Sequence, residues 1–220
     1  MKKITFLLFV IFIALWSDEG FAQLANDGSY LWNSASITYC SLDKKTEVYF
    51  GNKDHFSNQI SRLDYYHFEL IGYRKVSNHF SLGLGVRQTE NLKSQAWNPG
   101  QTYLFYGVYA WYPWNMKIKF ANRLMLKTYK FSDTQYGLDN VSNVDFFVHS
   151  TSLWPKPYLM DELFSSIDLA KLQTIRIYTG LHLFNKKYWG IDLYYCYWKC
   201  RSTADWKDYN VVGLSTKLKI

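Results

Sequence analysis

Phe80-Ser81-Leu82-Gly83-Leu84-Gly85-Val86-Arg87 decides the fold. Phe80, Leu82, Leu84 and Val86 take every second position, and Ser81, Gly83, Gly85 and Arg87 take the others. Successive side chains of an extended chain point to opposite faces, so this stretch is a strand with one greasy and one polar face. Working outward, the same period recurs. Met116, Ile118, Phe120, Leu124 and Leu126 alternate against Lys117, Lys119, Ala121, Arg123 and Lys127, with Asn122 as the one polar break on the greasy side. Ile175, Ile177, Leu181 and Leu183 alternate against Arg176, Tyr178, Gly180 and His182. Val212, Leu214, Leu218 and Ile220 alternate against Gly213, Ser215, Lys217 and Lys219.

Eleven such segments lie near 29–41, 44–52, 62–74, 79–90, 101–112, 115–128, 142–152, 156–166, 173–184, 187–200 and 207–220. Most exceed the usual 5–6 residues of soluble strands and suit the about 9–11 that a tilted transmembrane strand needs. Short turns are expected at 42–44, 75–78, 113–115, 154–156 and 185–187, and longer loops at 53–60, 91–100, 131–141, 166–172 and 201–206. Short turns at one end and long loops at the other describe an outer-membrane barrel with its short turns in the periplasm. The expected fold is therefore all-β: one antiparallel up-and-down transmembrane β-barrel over residues 23–220. Bacterial single-chain barrels have even strand numbers. The expectation is thus 10–12 strands, with twelve preferred to the eleven counted.

The N-terminus agrees with that location. Lys2 and Lys3 precede an apolar run from Ile4 to Trp16, and Gly20-Phe21-Ala22 supplies small residues at a cut. This describes a secretory signal peptide over residues 1–22, cleaved after Ala22. The run is shorter than the about 20 residues of a spanning helix. No second long apolar run follows, and only helices and closed barrels satisfy backbone groups in lipid. The expected place is the outer membrane of a Gram-negative bacterium.

Composition narrows the field further. In 220 residues, 48% hydrophobic and 20% aromatic, there are only 3 Cys and 4 Pro. Disordered chains are aromatic-poor, and disulfide-stapled scaffolds are Cys-dense, so both classes are excluded. Trp111, Tyr112, Trp114, Trp154, Tyr188 and Trp189 crowd the short turns, as an aromatic girdle at a membrane interface would. Trp97, Tyr103 and Trp206 are placed to build a girdle at the opposite side. An aromatic-rich soluble β-sandwich is the competing fold, and it does not explain long strands and end-placed Trp together.

If greasy faces meet lipid, the alternate residues line the lumen. That set holds His67, Glu69, Arg87, Lys117, Lys119, Arg123, Asp145, His149, Glu162, Arg176, His182, Asp192, Lys217 and Lys219. Buried charges must pair or meet water. The first expectation is a charged lumen cluster of His67, Glu69, Arg87, Arg123, Glu162 and Arg176 that holds strands together. The second is a narrow channel whose basic lining favours small anionic solutes. Asp161 falls on the greasy face, which implies a bulge or a position near the headgroups.

Other chemistries find less support. His149 lies beside Ser150 and Ser152, with Asp145 nearby, but neighbouring strand residues point to opposite faces and do not make a triad. A lipid-acting hydrolase remains a third class of function, and no catalytic residue is assigned. The five His are scattered without metal-ligand spacing, and no cofactor motif is present; Gly83-Leu84-Gly85 lacks the rest of a dinucleotide fingerprint. Cys196 and Cys200, four residues apart on one strand, stand about 13 Å apart and do not bridge. Three Cys leave at least one free, and the expected state is buried and inert. The net charge of +7 is spread over strands and turns, which fits lumen pairing and anionic headgroups better than nucleic acid. The expected partners are membrane lipids, the barrel-assembly machinery during insertion and a small solute.

The order of segments resembles a family of bacterial outer-membrane barrels, the domain-of-unknown-function family numbered 2490. The carrying residues are Leu31-Trp32, Phe80 to Arg87, Asn122-Arg123-Leu124, Pro157-Tyr158-Leu159 with Glu162-Leu163-Phe164, Arg176 with Gly180-Leu181, and Val212-Gly213-Leu214. The likeness spans nearly all of residues 29–220. It implies the fold, the location and inward positions for Arg123, Glu162 and Arg176, and it transfers no activity. Many barrels end in Phe or Trp for the insertion machinery to read, whereas this chain ends in Ile220 with Leu218 and Leu214 in phase behind it.

Overall fold

The computed structural model describes residues 29–57, 62–93, 96–130, 132–147, 155–185, 188–202 and 205–220. The expected signal peptide lies outside these residues. The described residues form eleven strands: β1 (Ser29–Cys40), β2 (Thr46–Ser57), β3 (Arg62–Lys75), β4 (Phe80–Lys93), β5 (Ala96–Trp111), β6 (Met116–Tyr129), β7 (Ser132–Phe146), β8 (Lys156–Ser166), β9 (Lys171–Asn185), β10 (Trp189–Ser202) and β11 (Asp205–Lys219). They form one closed barrel in chain order.

The count of eleven falls within the expected 10–12, one short of the preferred twelve, and being odd it decides how the barrel closes. Strands that run up and down in turn leave the first and last of an odd set pointing the same way. Consecutive strands pair antiparallel, but β1 and β11 close the barrel in parallel, from Ser29 opposite Asn210 to Thr38 opposite Lys219. Beyond the ladder, the Cys40 amide donates to the Ile220 carbonyl and the Ile220 amide to the Thr38 carbonyl. The seam is therefore bonded down to the chain end.

The expected contrast of loop lengths is absent. At the rim that carries the β1–β2 turn, here the lower rim, the connections span 41–45, 76–79, 112–115, 147–155 and 186–188. At the upper rim they span only 58–61, 94–95, 130–131, 167–170 and 203–204. The segments expected as long loops are mostly strand. β2 continues to Ser57, β4 to Lys93, and β7 begins at Ser132 rather than 142. The reason is local. Stretches such as Ser132-Asp133-Thr134-Gln135 are polar on both faces, so no hydropathy contrast marks them, yet the backbone ladder needs none.

Hydrogen-bonded rows climb the wall as they circle it. From Cys40 at the lower rim, successive partners are Glu47, Tyr73, Gly83, Tyr106, Arg123, Asp139, Phe164, Thr174, Cys200 and finally Lys207, near the upper rim. This slant is the strand tilt that barrel closure requires, typically about 35–45°.

The period-two pattern sorts the side chains as the ladder demands. Leu70, Leu84, Phe105, Phe120, Leu124, Leu159, Ile177, Leu193 and Leu214 stand exposed on the outer wall. Asp161 is outward too, at the middle of β8, and the register shift on that strand lies between Phe164 and Ser165. Neither a bulge nor a rim position accounts for it.

Inside, tyrosines accompany the charges, an arrangement the girdle expectation did not include. Tyr158, Tyr178 and Tyr194 pack with Trp32, Cys196 and Val211 in one buried cluster, and Tyr106 joins Ile71, Leu104 and Met125 in another. Several of these rings lie across glycines. A Cβ at Gly213 would come within 2.1 Å of the Tyr194 ring, and one at Gly180 within 2.4 Å of Tyr158. Rings laid over bare backbone fill the lumen side of the wall and pin the register.

Candidate functional site

The lumen holds a cavity of about 1000 Å³, reached by side chains from every strand. It runs from Lys117 and Lys217, near the lower rim, to Arg62 and Asp64, near the upper. Its lining holds nine Lys and Arg against six Asp and Glu.

Midway along the barrel the charges form a belt of ion pairs. On β3 and β4, Arg87 Nε and Nη2 donate to one oxygen of Glu69 at 2.9 and 2.7 Å, and His67 Nε2 lies 3.9 Å from that oxygen. On β6 to β9, Arg123 pairs with Asp139 and, at 3.1 Å, with Glu162. The other oxygen of Glu162 accepts from Arg176 at 2.8 Å and from the Tyr178 hydroxyl at 3.2 Å. All six residues expected in the lumen cluster thus face inward, but in two groups on different parts of the wall.

The register makes these contacts. Glu69 opposes Arg87, Arg123 opposes Asp139, and Glu162 opposes Arg176 across their ladders. Facing side chains of one sheet face stand about 4.5–5.5 Å apart at Cβ, the reach of an Arg–carboxylate pair.

A second cluster sits towards the lower rim. His182 Nδ1 lies 2.8 Å from Asp192 and Nε2 lies 3.4 Å from Asp145, with the ring stacked on Tyr158 at 4.7 Å. Lys217 pairs with the other oxygen of Asp192.

Four lining lysines, Lys53, Lys117, Lys119 and Lys127, form no salt bridge among the described residues. Two of them use aromatic faces instead. Lys53 Nζ stands 4.0 Å from the Trp32 ring centroid, and Lys127 Nζ 3.9 Å from that of Phe164. Trp32 is fully buried at the parallel seam, stacked on His55 at 4.1 Å, and Arg176 also lies over it at 5.2 Å. The belt therefore presents Lys53 and Lys127 to the cavity with no salt-bridge partner among the described residues, while its guanidinium groups are paired with carboxylates.

Asp139 and Lys53 escaped the sequence reading because both fell in stretches assigned to loops. A signal existed. Gly137-Asp139-Val141 and Tyr49-Gly51-Lys53 continue the inward phase of the segments they adjoin.

The aromatic set gathers at one rim. Trp111, Tyr112, Trp114, Tyr188 and Trp189 are all exposed there, Trp114 most of all at 87%. Trp154 lies outside the described residues, as do His149, Ser150 and Ser152, on which the hydrolase alternative rested. Trp97 and Tyr103 point outward on the half of β5 nearer the upper rim. The described thiols are free: Cys196 is buried, Cys200 partly so, and Cys40, against expectation, is exposed. Cys40 and Cys200 lie at opposite rims, which separates them.

No protein-family model matches the chain, and no curated protein matches it either.

Proposed function

We propose that the chain is an outer-membrane barrel whose lumen admits small anionic solutes. The membrane placement is supported by the outer wall, where Leu, Ile, Val and Phe side chains around the barrel stand roughly 40–50% exposed. Exposed apolar patches beyond a few hundred Å² mark contact with a membrane or a partner. The aromatic residues at the lower rim fit an interfacial girdle against lipid headgroups. The signal-peptide pattern and the resemblance to the outer-membrane family numbered 2490 point the same way, with the barrel-assembly machinery as the partner during insertion.

One observation carries the solute reading: the cavity is lined by lysines that form no salt bridge among the described residues. An anion entering it would lose part of its hydration and meet Lys53, Lys119 and Lys127 in exchange. No catalytic step is involved.

The test is planar-bilayer conductance of the refolded protein under a salt gradient. Stepwise currents with anion selectivity are the expected result. The ion-pair belt itself favours a second reading, a closed structural barrel, and silence in the bilayer would select it.

A further inference from the structure

The outer wall carries one feature that a barrel alone in lipid does not explain. Asn122 on β6, Asn140 and Ser142 on β7, and Asp161 on β8 form a contiguous polar patch. The Asn140 amide donates to the Asn122 carbonyl at 2.8 Å, and the Ser142 hydroxyl to Asp161 at 3.4 Å. That leaves the Asn122 amide without an acceptor, and one oxygen of Asp161 without a donor, among the described residues. Apolar side chains flank the patch towards both rims. Phe120 and Leu159 stand below it, and Leu124, Leu138 and Leu163 above, all 38–48% exposed. The patch is thus near the middle of the greasy band, away from headgroups. By contrast, the outward acid Asp54 accepts from Asn52 on its own strand and lies three residues from the end of β2 at the upper rim.

We infer that this patch is the contact surface for a second copy of the chain. The inference rests on the membrane placement proposed above. Copies inserted by one route share one orientation, so a closed pair has its two-fold axis along the membrane normal. Such an axis brings together residues of equal height. Asn122 and Asp161 meet that condition. From Asn122 the row climbs across β7 to β8, about 6 Å for two strand steps at typical spacing and tilt. The two-residue step from Asn140 down to Ser142 on β7 returns about 5 Å. Asn122 and Asp161 therefore flank β7 at nearly one height.

With the axis on β7, β6 of one copy faces β8 of the other. The free Asn122 amide of each copy then donates to the Asp161 carboxylate of its partner, twice by symmetry. The patch is self-complementary in hydrogen bonding, offering a donor in Asn122 and an acceptor in Asp161 at matching positions, which selects a second copy over a different protein. Gly107, paired with Asn122 from β5, adds no side chain of its own beside the patch, and the Phe80 ring lies 3.8 Å from the position of an added Cβ there.

The full mature chain, refolded into phosphatidylcholine vesicles and labelled with one fluorophore per chain, supplies the test. Vesicle flotation first reports integration, and two-step photobleaching then reports pairing. Wild type is expected to integrate and pair. The variant D161L/N122L is expected to integrate, retain heat-resistant folded migration and pair at least tenfold more weakly. A cysteine pair N122C/D161C, with Cys40, Cys196 and Cys200 replaced by Ala, adds a second readout. Within one chain these positions are two strands, about 10 Å, apart, beyond disulfide reach. An oxidant should therefore join chains. Single bleaching steps for integrated wild type, undiminished pairing of D161L/N122L, or cross-links only to another protein would each overturn the pairing while leaving the membrane placement intact. Failure to float would overturn both.

Discussion

Glu162 on β8 and Arg176 on β9 stand directly opposite one another, with Arg176 Nη1 2.8 Å from Glu162 Oε2. Glu162 also holds Arg123, so one carboxylate ties together β6, β8 and β9. Arg123 keeps Asp139 as a second partner, whereas Arg176 pairs with no other carboxylate among the described residues.

The asymmetry sets the first prediction. Glu162→Met leaves Arg176 unpaired in the lumen, and breaking a buried pair costs about 3–5 kcal/mol. Arg176 lines a cavity of about 1000 Å³, roomy enough for water to solvate an orphaned guanidinium, which places the expected loss at the lower end, about 3 kcal/mol. E162M/R176M should recover part of it, since no orphan charge remains. Urea unfolding of the refolded barrel, read as a double-mutant cycle, checks both. Equal or greater loss in the double variant would contradict the assignment.

Gly213 and Gly72 give an internal contrast. Gly213 pairs with Trp32 at the parallel seam and lies under Tyr194, whose ring is 2.1 Å from the position of an added Cβ. Gly72 has nothing within 4 Å. Gly213→Ala should cost about 1–3 kcal/mol through overpacking, while Gly72→Ala stays within about 0.5 kcal/mol. Tyr194→Leu should restore part of the loss in G213A. Thermal shifts of heat-modifiable migration across the set measure this directly.

These two cases also mark what a sequence can disclose. Arg176 was legible because Ile175 and Ile177 flank it, and Arg123 and Glu162, each beside one polar residue, because apolar residues at alternate positions farther along their strands (Phe120 and Leu124, Leu159 and Leu163) kept the phase. Asp139 follows Leu138 but precedes Asn140, and Lys53 precedes Asp54; where both faces turn polar the period vanishes from hydropathy, though not from the backbone. The Trp32–Gly213 contact was hidden for another reason. It depends on the parity of the strand count, which local pattern does not encode. The inward tyrosines shared their residue type with the girdle, and only register separates the two uses.

The β1–β2 turn offers a pH prediction outside the spanning strands. Asp43 accepts from the Ser41 hydroxyl and from the Lys45 amide at 3.0 Å, with Arg74 3.6 Å away. The Ser41 hydrogen bond, then the Lys45 amide, hold its carboxyl below the ordinary value of 3.8. A depressed carboxylate stabilises the turn above its unfolded pKa and loses that contribution as pH falls through the folded one. The protection factor of the Lys45 amide against exchange should therefore stay level from neutral pH down to about 4 and fall below it. Asp43→Asn should flatten that profile. An unchanged profile in the variant would assign the acid transition elsewhere.

Lysine and arginine should contribute differently to selectivity, because Arg87, Arg123 and Arg176 already face carboxylates while Lys53 and Lys127 face aromatic rings. A ring softens the field of an ammonium without cancelling its charge. Near the cavity axis each such charge acts on a passing anion by about 1 kcal/mol at 4 Å in a water-like medium, about a fivefold effect. K53M/K127M should then lower the anion-to-cation permeability ratio at least fivefold, and K53E/K127E should invert it. Neither lysine bridges strands through a salt bridge among the described residues, so K53M/K127M should lower stability only by the loss of the two ring contacts, about 0.5–2 kcal/mol each. Reversal potentials under a salt gradient, with urea midpoints alongside, separate the two effects. A ratio unchanged by K53E/K127E in a folded barrel would remove these lysines from the solute path.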